Sequence, residues 1–318
     1  MLLRFWRRSG SLAAGIPGPF VVETALMETT RSARLPGAYL KLVRPRQWTK
    51  NGFVLAGLVF AAEAFQPQSI VAALLAFAAF CALSGAVYAT NDVLDVEEDR
   101  KHPEKRNRPV ASGDVPVTNA VVFSALLAAG GLALGFSIDV WVGIAGGAYI
   151  ALQAAYTTFL KHVSILDVMS ISGGFVIRAL AGVAAVQSPI SPWLIVCTGL
   201  LTLFLGFSKR RHELASLGEG AAAHRRNLRD YSVPVLDEMM NIMLSATIIA
   251  YSMYTFFEYE DNLMMASIPF VIYGVFRYML LVHRDGGGNP DTLLLQDRPL
   301  QITLFLWLGV VMSVIYLS

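Results

Sequence analysis

Three carboxylates, Asp92, Asp95 and Asp99, recur at i, i+3 and i+7 in the stretch NDVLDVEEDRKHPEKRNRPVASG, residues 91–113. On a helix this spacing puts them on one face, where they repel each other unless a cation sits between them. An oxygen-only donor set of this kind, with Asn91 beside it, suits Mg2+, which takes the rest of its shell from water and from a substrate's phosphates. Arg100, Lys101, Lys105, Arg106 and Arg108 follow at once, and such cations are suited to hold further phosphate oxygens. The plainer alternative is a polar loop that keeps two hydrophobic helices apart.

Three more polar clusters interrupt an otherwise apolar chain. YTTFLKHVSILD brings Tyr156, Lys161, His162 and Asp167 together, and Arg178 follows inside the apolar GGFVIRALAG. An ionisable group inside a membrane helix faces the bundle interior or a wet cavity, so Arg178 is expected either to pair with an acid or to bind a lipid phosphate. GFSKRRHEL supplies Lys209, Arg210, Arg211 and Glu213, and HRRNLRDYS adds Arg225, Arg226, Arg229, Asp230 and Tyr231. This loop either fixes topology alone or lines a pocket for a polyanion. The last loop carries Asp291, Asp297 and Arg298 around a GGG turn that lacks the lysine of a nucleotide-binding loop. The five histidines are scattered without zinc-like spacing, and Cys81 and Cys197 sit in apolar runs, so neither a zinc site nor a disulfide is expected.

The elements that must position these residues are membrane helices. The 318 residues are 55% hydrophobic and only 15% charged, with a mean hydropathy of +0.54; soluble domains carry roughly 25% charged residues. Hydrophobic runs predict nine spans, near 52–66, 69–92, 117–138, 140–159, 164–187, 191–208, 236–258, 263–283 and 300–317, each close to the ~20 residues that cross a bilayer. An amphipathic basic stretch, YLKLVRPRQWTKN, precedes them and ends in Lys50 and Asn51. The links near Gln66–Gln68, Ile138–Asp139, Ser188–Pro192 and Glu258–Asn262 contain no Lys or Arg, whereas the alternate loops are rich in them. The positive-inside rule then places the N-terminus and all the polar loops in the cytoplasm and the C-terminus outside. Residues 1–35, broken by Gly15, Pro17, Gly18 and Pro19, read as a poorly ordered extension with Met27 as a candidate start, and residues 36–318 as one catalytic domain. No nucleic-acid-binding module is visible. One-sided charge argues against a transporter, which needs a site near the midplane and gates on both faces.

NDVLDVEED resembles the first aspartate-rich motif, NDxxDxxxD, of the UbiA-type intramembrane prenyltransferases. RPRQWTKN (44–51), RKHPEKRNRPVASG (100–113), LKHVSILDV (160–168) and SKRRHEL (208–214) resemble more narrowly the decaprenyl-phosphate phosphoribosyltransferase branch. The resemblance covers the chain from about residue 38 onward. It implies an all-α membrane bundle of about nine helices with a cytoplasm-facing active site. It implies a Mg2+-dependent transfer of 5-phosphoribose from phosphoribosyl diphosphate to a polyprenyl phosphate, with diphosphate leaving. In this branch the product feeds lipid-linked arabinose for cell-wall glycan at the plasma membrane, and a homo-oligomer is possible. Asp92, Asp95, Asp99 and Asn91 are then the metal ligands, and Asp167 orients the ribose or holds a second ion. Arg106, Arg108, Lys209, Arg210 and Arg211 become donor-phosphate residues, with Tyr156 and Glu213 beside them. Lys50, Lys161 and Arg178 fall to the lipid phosphate end, and Asn51 counts among the substrate-binding residues. One departure matters: KRRHEL stands where aromatic-acceptor members carry a second aspartate-rich motif. The runner-up is transfer of a prenyl group from its diphosphate to an aromatic or other acceptor, and the missing motif argues against it.

Overall fold

The computed structural model describes residues 36–217, 226–259, 262–284, 293 and 296–317. The expected extension 1–35, together with His224, Arg225 and Asp291, lies outside the described residues. Every element among the described residues is helical. A short helix α1 (36–42) leads into a 3-10 segment, Pro45–Leu55, and α2 (Ala56–Phe60). The elements that follow are α3 (Pro67–Leu94), α4 (Val96–Lys101), α5 (Val117–Ile138), α6 (Val140–Thr158), α7 (Leu166–Ala185), α8 (Pro192–Leu217), α9 (Val233–Phe257), α10 (Ile268–Arg284) and α11 (Arg298–Leu317).

The helices start where the sequence carries start signals. Pro67 opens α3, where its missing N–H costs nothing. Asp139 accepts the Trp141 N–H at 2.7 Å at the head of α6. Ser232 accepts the Val235 N–H at 3.4 Å ahead of α9, and Asp297 accepts the Leu300 N–H at 2.9 Å ahead of α11. Each cap satisfies a donor that the first turn leaves open. Among the described residues seven helices are long and apolar enough to cross a membrane, and the chain is a multi-pass membrane protein. The expected span 140–159 is the nineteen-residue α6.

The expected first span, 52–66, has a different form. Its residues belong to the 3-10 segment, to the five-residue α2 and to the turn that follows. The segment nonetheless runs the height of the bundle. Arg44 at its start pairs with Asp92 near the end of α3, and Gln66 at its finish caps the beginning of α3. Between those points α3 rises about 38 Å. The 3-10 rise of about 2.0 Å per residue stretches a short segment over that height. It lies in direct backbone contact with α7. A Cβ on Gly182 would sit 1.8 Å from the Val54 carbonyl oxygen, and one on Gly57 would sit 2.4 Å from the Gly182 carbonyl carbon. Only glycine fits at these two crossings.

Sequential helices pack as neighbours, α3 on α5, α5 on α6, α6 on α7, α7 on α8 and α8 on α9, with α10 on α11. The outer faces show large apolar side chains such as Leu126, Trp141 and Phe305. The interior holds Asn51, Asp92, Asp167, Arg178 and Arg210. This inversion of the soluble pattern leaves the polar groups no partner but one another.

Candidate active site

Two acidic centres lie at the same end of the bundle. The first forms where α3 gives way to α4. Asp95 is the joint, with φ −94° and ψ 7°, and its N–H still bonds Asn91 O at 2.9 Å. The continuing turn carries Asp99 back beside Asp92, and both carboxylates are buried. Arg108 Nη1 donates to Asp99 Oδ2 at 2.7 Å and lies 3.3 Å from Asp92 Oδ1. Arg44 makes the second ion pair to Asp92 Oδ1, and its guanidinium sits 5.1 Å from the Tyr88 ring centre. Arg44 holds φ 50° and ψ 67° immediately before Pro45. A left-handed non-glycine residue costs about 1–3 kcal/mol, so the chain reversal that aims this side chain is maintained by its surroundings.

The second centre lies between the start of α7 and the end of α8. Arg210 Nε meets Asp167 Oδ2 at 2.8 Å, with the two side chains 1% and 0% exposed. Arg210 also pairs with Glu213 one turn on and hydrogen-bonds Tyr156. Tyr231 lies beside the Asp167 carboxylate. Burial pushes the Tyr231 phenol up, so it stays protonated and able to donate near neutral pH. The two centres are linked, because Thr157, next to Tyr156, donates to Asn91 Oδ1 at 3.1 Å.

Several expected residues lie elsewhere. Arg106 is exposed on the loop, whereas Arg108 turns in to Asp92 and Asp99. Arg211 pairs with Asp237 on α9, away from Asp167, although Arg210 is its chain neighbour. Lys50, Lys161 and Lys209 are half-buried, and Lys50 and Lys209 are both engaged with neighbouring groups. Arg178 and Asn51 form a separate group within the bundle. Arg178 Nε donates to Asn51 Oδ1 at 2.8 Å, Nη1 to Gly174 O at 2.8 Å and Nη2 to Tyr149 Oη at 3.0 Å. Its guanidinium lies 4.5 Å from the Tyr149 ring centre. Asn51 in turn donates to Ser84 Oγ at 3.1 Å. Neutral acceptors and a ring face therefore stand where the sequence offered an acid as one of two partners for Arg178.

Sequence reasoning singled out neither Arg44 nor the reach of Tyr231 to Asp167. The signal for Arg44 was the Arg-Pro pair, since proline bars the preceding residue from the ordinary helical region. The expected metal set also differs in arrangement. Among the described residues no three His, Cys, Asp or Glu side chains come together as a metal-holding group. The break at Asp95 and the two intervening guanidiniums replace the uniform helical face that the spacing implied. The donors still fit a hard cation: two buried carboxylates already converge on a single cationic nitrogen, Arg108 Nη1.

Comparison with known proteins identifies the family and the fold. Residues 52–309 match the UbiA prenyltransferase family. The chain is 34% identical over 302 residues to the decaprenyl-phosphate phosphoribosyltransferase of Mycolicibacterium smegmatis, covering 89% of this chain and 94% of that one. It is 32% identical over 293 residues to the enzyme of the same name from Corynebacterium glutamicum, covering 89% and 88%. The fold matches a UbiA homologue from Archaeoglobus fulgidus solved with GPP and Mg2+, with a TM-score of 0.68 and 17% identity over 87% of this chain and 99% of that one. A helical membrane bundle with paired acidic centres at one end, matched over most of its length, places this chain in the UbiA prenyltransferase family of transferases.

Proposed function

We propose that the protein transfers 5-phosphoribose from phosphoribosyl diphosphate to a polyprenyl phosphate such as decaprenyl phosphate, releasing diphosphate. The observation that carries this reading is the pairing of one acid-rich centre with one centre built on a buried arginine. A donor with a diphosphate at C1 and a phosphate at C5 needs one site for a metal-bound diphosphate and one cationic site. The likeness to enzymes named for this reaction over about nine-tenths of the chain supports it.

Asp92 and Asp99 would hold Mg2+, with Asp95 and Asn91 beside them. The ion, when bound, neutralises charge on the leaving diphosphate. Arg44 and Arg108, about a quarter exposed, are placed to exchange a carboxylate for a diphosphate oxygen. Arg210, fixed by Asp167 and Glu213, faces the other end of the donor, and Asp167 orients the ribose. The attacking oxygen is the lipid phosphate's own. With a second pKa of about 6 it is anionic near neutral pH, so no protein base is required. It attacks C1 in line, the C1–diphosphate bond breaks, and the anomeric centre inverts. Lys50 and Lys161 receive the lipid phosphate. Arg178, bound to neutral groups, supports the first segment through Asn51. The segment 45–66 counts as a ninth crossing, with the active site in the cytoplasm by the positive-inside rule. In the plasma membrane the product would serve lipid-linked cell-wall glycan synthesis.

The test is transfer of label from phosphoribosyl diphosphate to decaprenyl phosphate by purified protein, with and without Mg2+, and with Asp92→Ala. Labelled lipid that requires both the ion and Asp92 is the expected result. Consumption of a prenyl diphosphate with an aromatic acceptor, and no labelled lipid, would overturn it. Asp95→Asn lowers transfer about 100-fold or more if Asp95 shares the ion; native turnover would remove it from the ligand set.

A further inference from the structure

The segment leading into Asp167 is held in a shape that its own residues disfavour. Ile165 has φ 69° and ψ −50°, and the Leu166 N–H bonds Ser164 O at 2.8 Å. Together these define the positive-φ form of the γ-turn, which is rare and strained. Glycine enters this region without penalty, but a β-branched residue there is an outlier. Packing of the Ile165 side chain does not enforce the turn, because that side chain is 43% exposed. Two contacts from the segment ahead of α9 do. Tyr231 Oη accepts the Ile165 N–H at 2.5 Å, and the Asp230 carboxylate accepts the Ser164 hydroxyl at 2.5 Å. Tyr231 is itself buried and lies beside Asp167. A single phenol therefore holds the strained turn two residues ahead of that carboxylate.

We propose that Tyr231, assisted by Asp230, is a positioning residue that clamps the Ser164–Leu166 turn and so fixes the direction of the Asp167 carboxylate. Without the clamp, Ile165 relaxes to a negative φ. The chain then enters α7 from another direction, and Asp167 loses its alignment with Arg210. The clamp also joins two loops far apart in sequence, so the second centre closes only when the segment 226–231 is seated. This inference rests on the reading of Asp167 as a working carboxylate.

Tyr231→Phe keeps the ring and removes only the hydroxyl. In the transfer assay with phosphoribosyl diphosphate and decaprenyl phosphate, kcat should fall about tenfold or more, while KM for the lipid stays at its native value. Adding Ile165→Gly to Tyr231→Phe lets the turn form without its anchor and should restore most of the lost turnover. A residue with a merely structural role would not be rescued by a glycine at a different position. Native turnover in Tyr231→Phe, or a loss that Ile165→Gly leaves untouched, overturns the proposal. If Tyr231→Phe does not fold, Ser164→Ala removes the other arm of the clamp and is read in the same way. Asp167→Asn separates the two ideas. Native turnover there removes Asp167 from the site, and the clamp's purpose with it. An inactive Asp167→Asn beside a native Tyr231→Phe overturns the clamp alone.

Discussion

Around Asp92, two guanidiniums reach the carboxylate with their side chains 27% and 26% exposed. Around Asp167, one guanidinium does so at 1%. The same two charged groups thus serve opposite purposes. A buried carboxylate shared by two partly exposed guanidiniums can give up one contact and keep the other. A sealed pair cannot give up one member without stranding the other in a low-dielectric interior. The first centre is therefore suited to trade arginine contacts for a charged ligand, and the second to remain as built and present a fixed surface.

The comparison breaks most visibly in stability. Arg210→Met leaves Asp167 buried without its cation, and losing one member of such a pair costs about 3–5 kcal/mol. A large drop in the melting temperature of detergent-purified protein is expected. Arg44→Gln should leave the melting temperature close to native and lose turnover instead. Equal destabilisation by the two variants would erase the distinction between the centres. A double variant, Asp167→Leu with Arg210→Met, sharpens it. An apolar pair in the same space should recover most of the melting temperature and none of the activity. Arg108→Lys is a smaller change. An ammonium has one nitrogen, whereas the guanidinium meets Asp92 and Asp99 through Nη1 and keeps other N–H donors for a diphosphate oxygen, so KM for phosphoribosyl diphosphate should rise about tenfold with folding intact. An unchanged KM would place the diphosphate elsewhere.

The smallest effect lies outside both centres, at Asp297. The Arg277 guanidinium holds its carboxyl below the ordinary range, with contacts of 3.2 and 2.7 Å. The folded state therefore binds this proton less readily than the unfolded chain does. The stabilisation is complete above the ordinary aspartate pKa of about 3.9 and is lost as pH falls through the lower folded value. Melting temperature measured down to acid pH should show a small added loss there, and Asp297→Asn should remove it.

Charge in an apolar chain marked residues that the bundle buries but not their directions. Asp92, Asp99, Asp167 and Arg210 stand out because burying such groups is costly unless they meet one another. Arg210 and Arg211 are indistinguishable as consecutive letters, yet successive helix residues diverge by about 100°, and one meets Asp167 while the other meets Asp237. Arg106 and Arg108 diverge likewise in a loop whose course no periodicity describes. Arg44 and the Ile165 turn depend on backbone angles that tertiary contacts impose and side-chain type opposes. Seven of the nine expected spans were readable from hydropathy among the described residues; in the first, the sequence specified an apolar run but not its winding.

That winding has a consequence for chain length. A 3-10 helix turns once every three residues, so removing or adding one residue between Arg44 and Asn51 would swing one anchor about 120° from the other. Arg44 would leave Asp92, or Asn51 would leave Arg178. Substitutions between these two positions can be absorbed, but insertions and deletions cannot. In a library of length variants the seven-residue interval should therefore survive intact, while the exposed loop around Glu104 drifts freely.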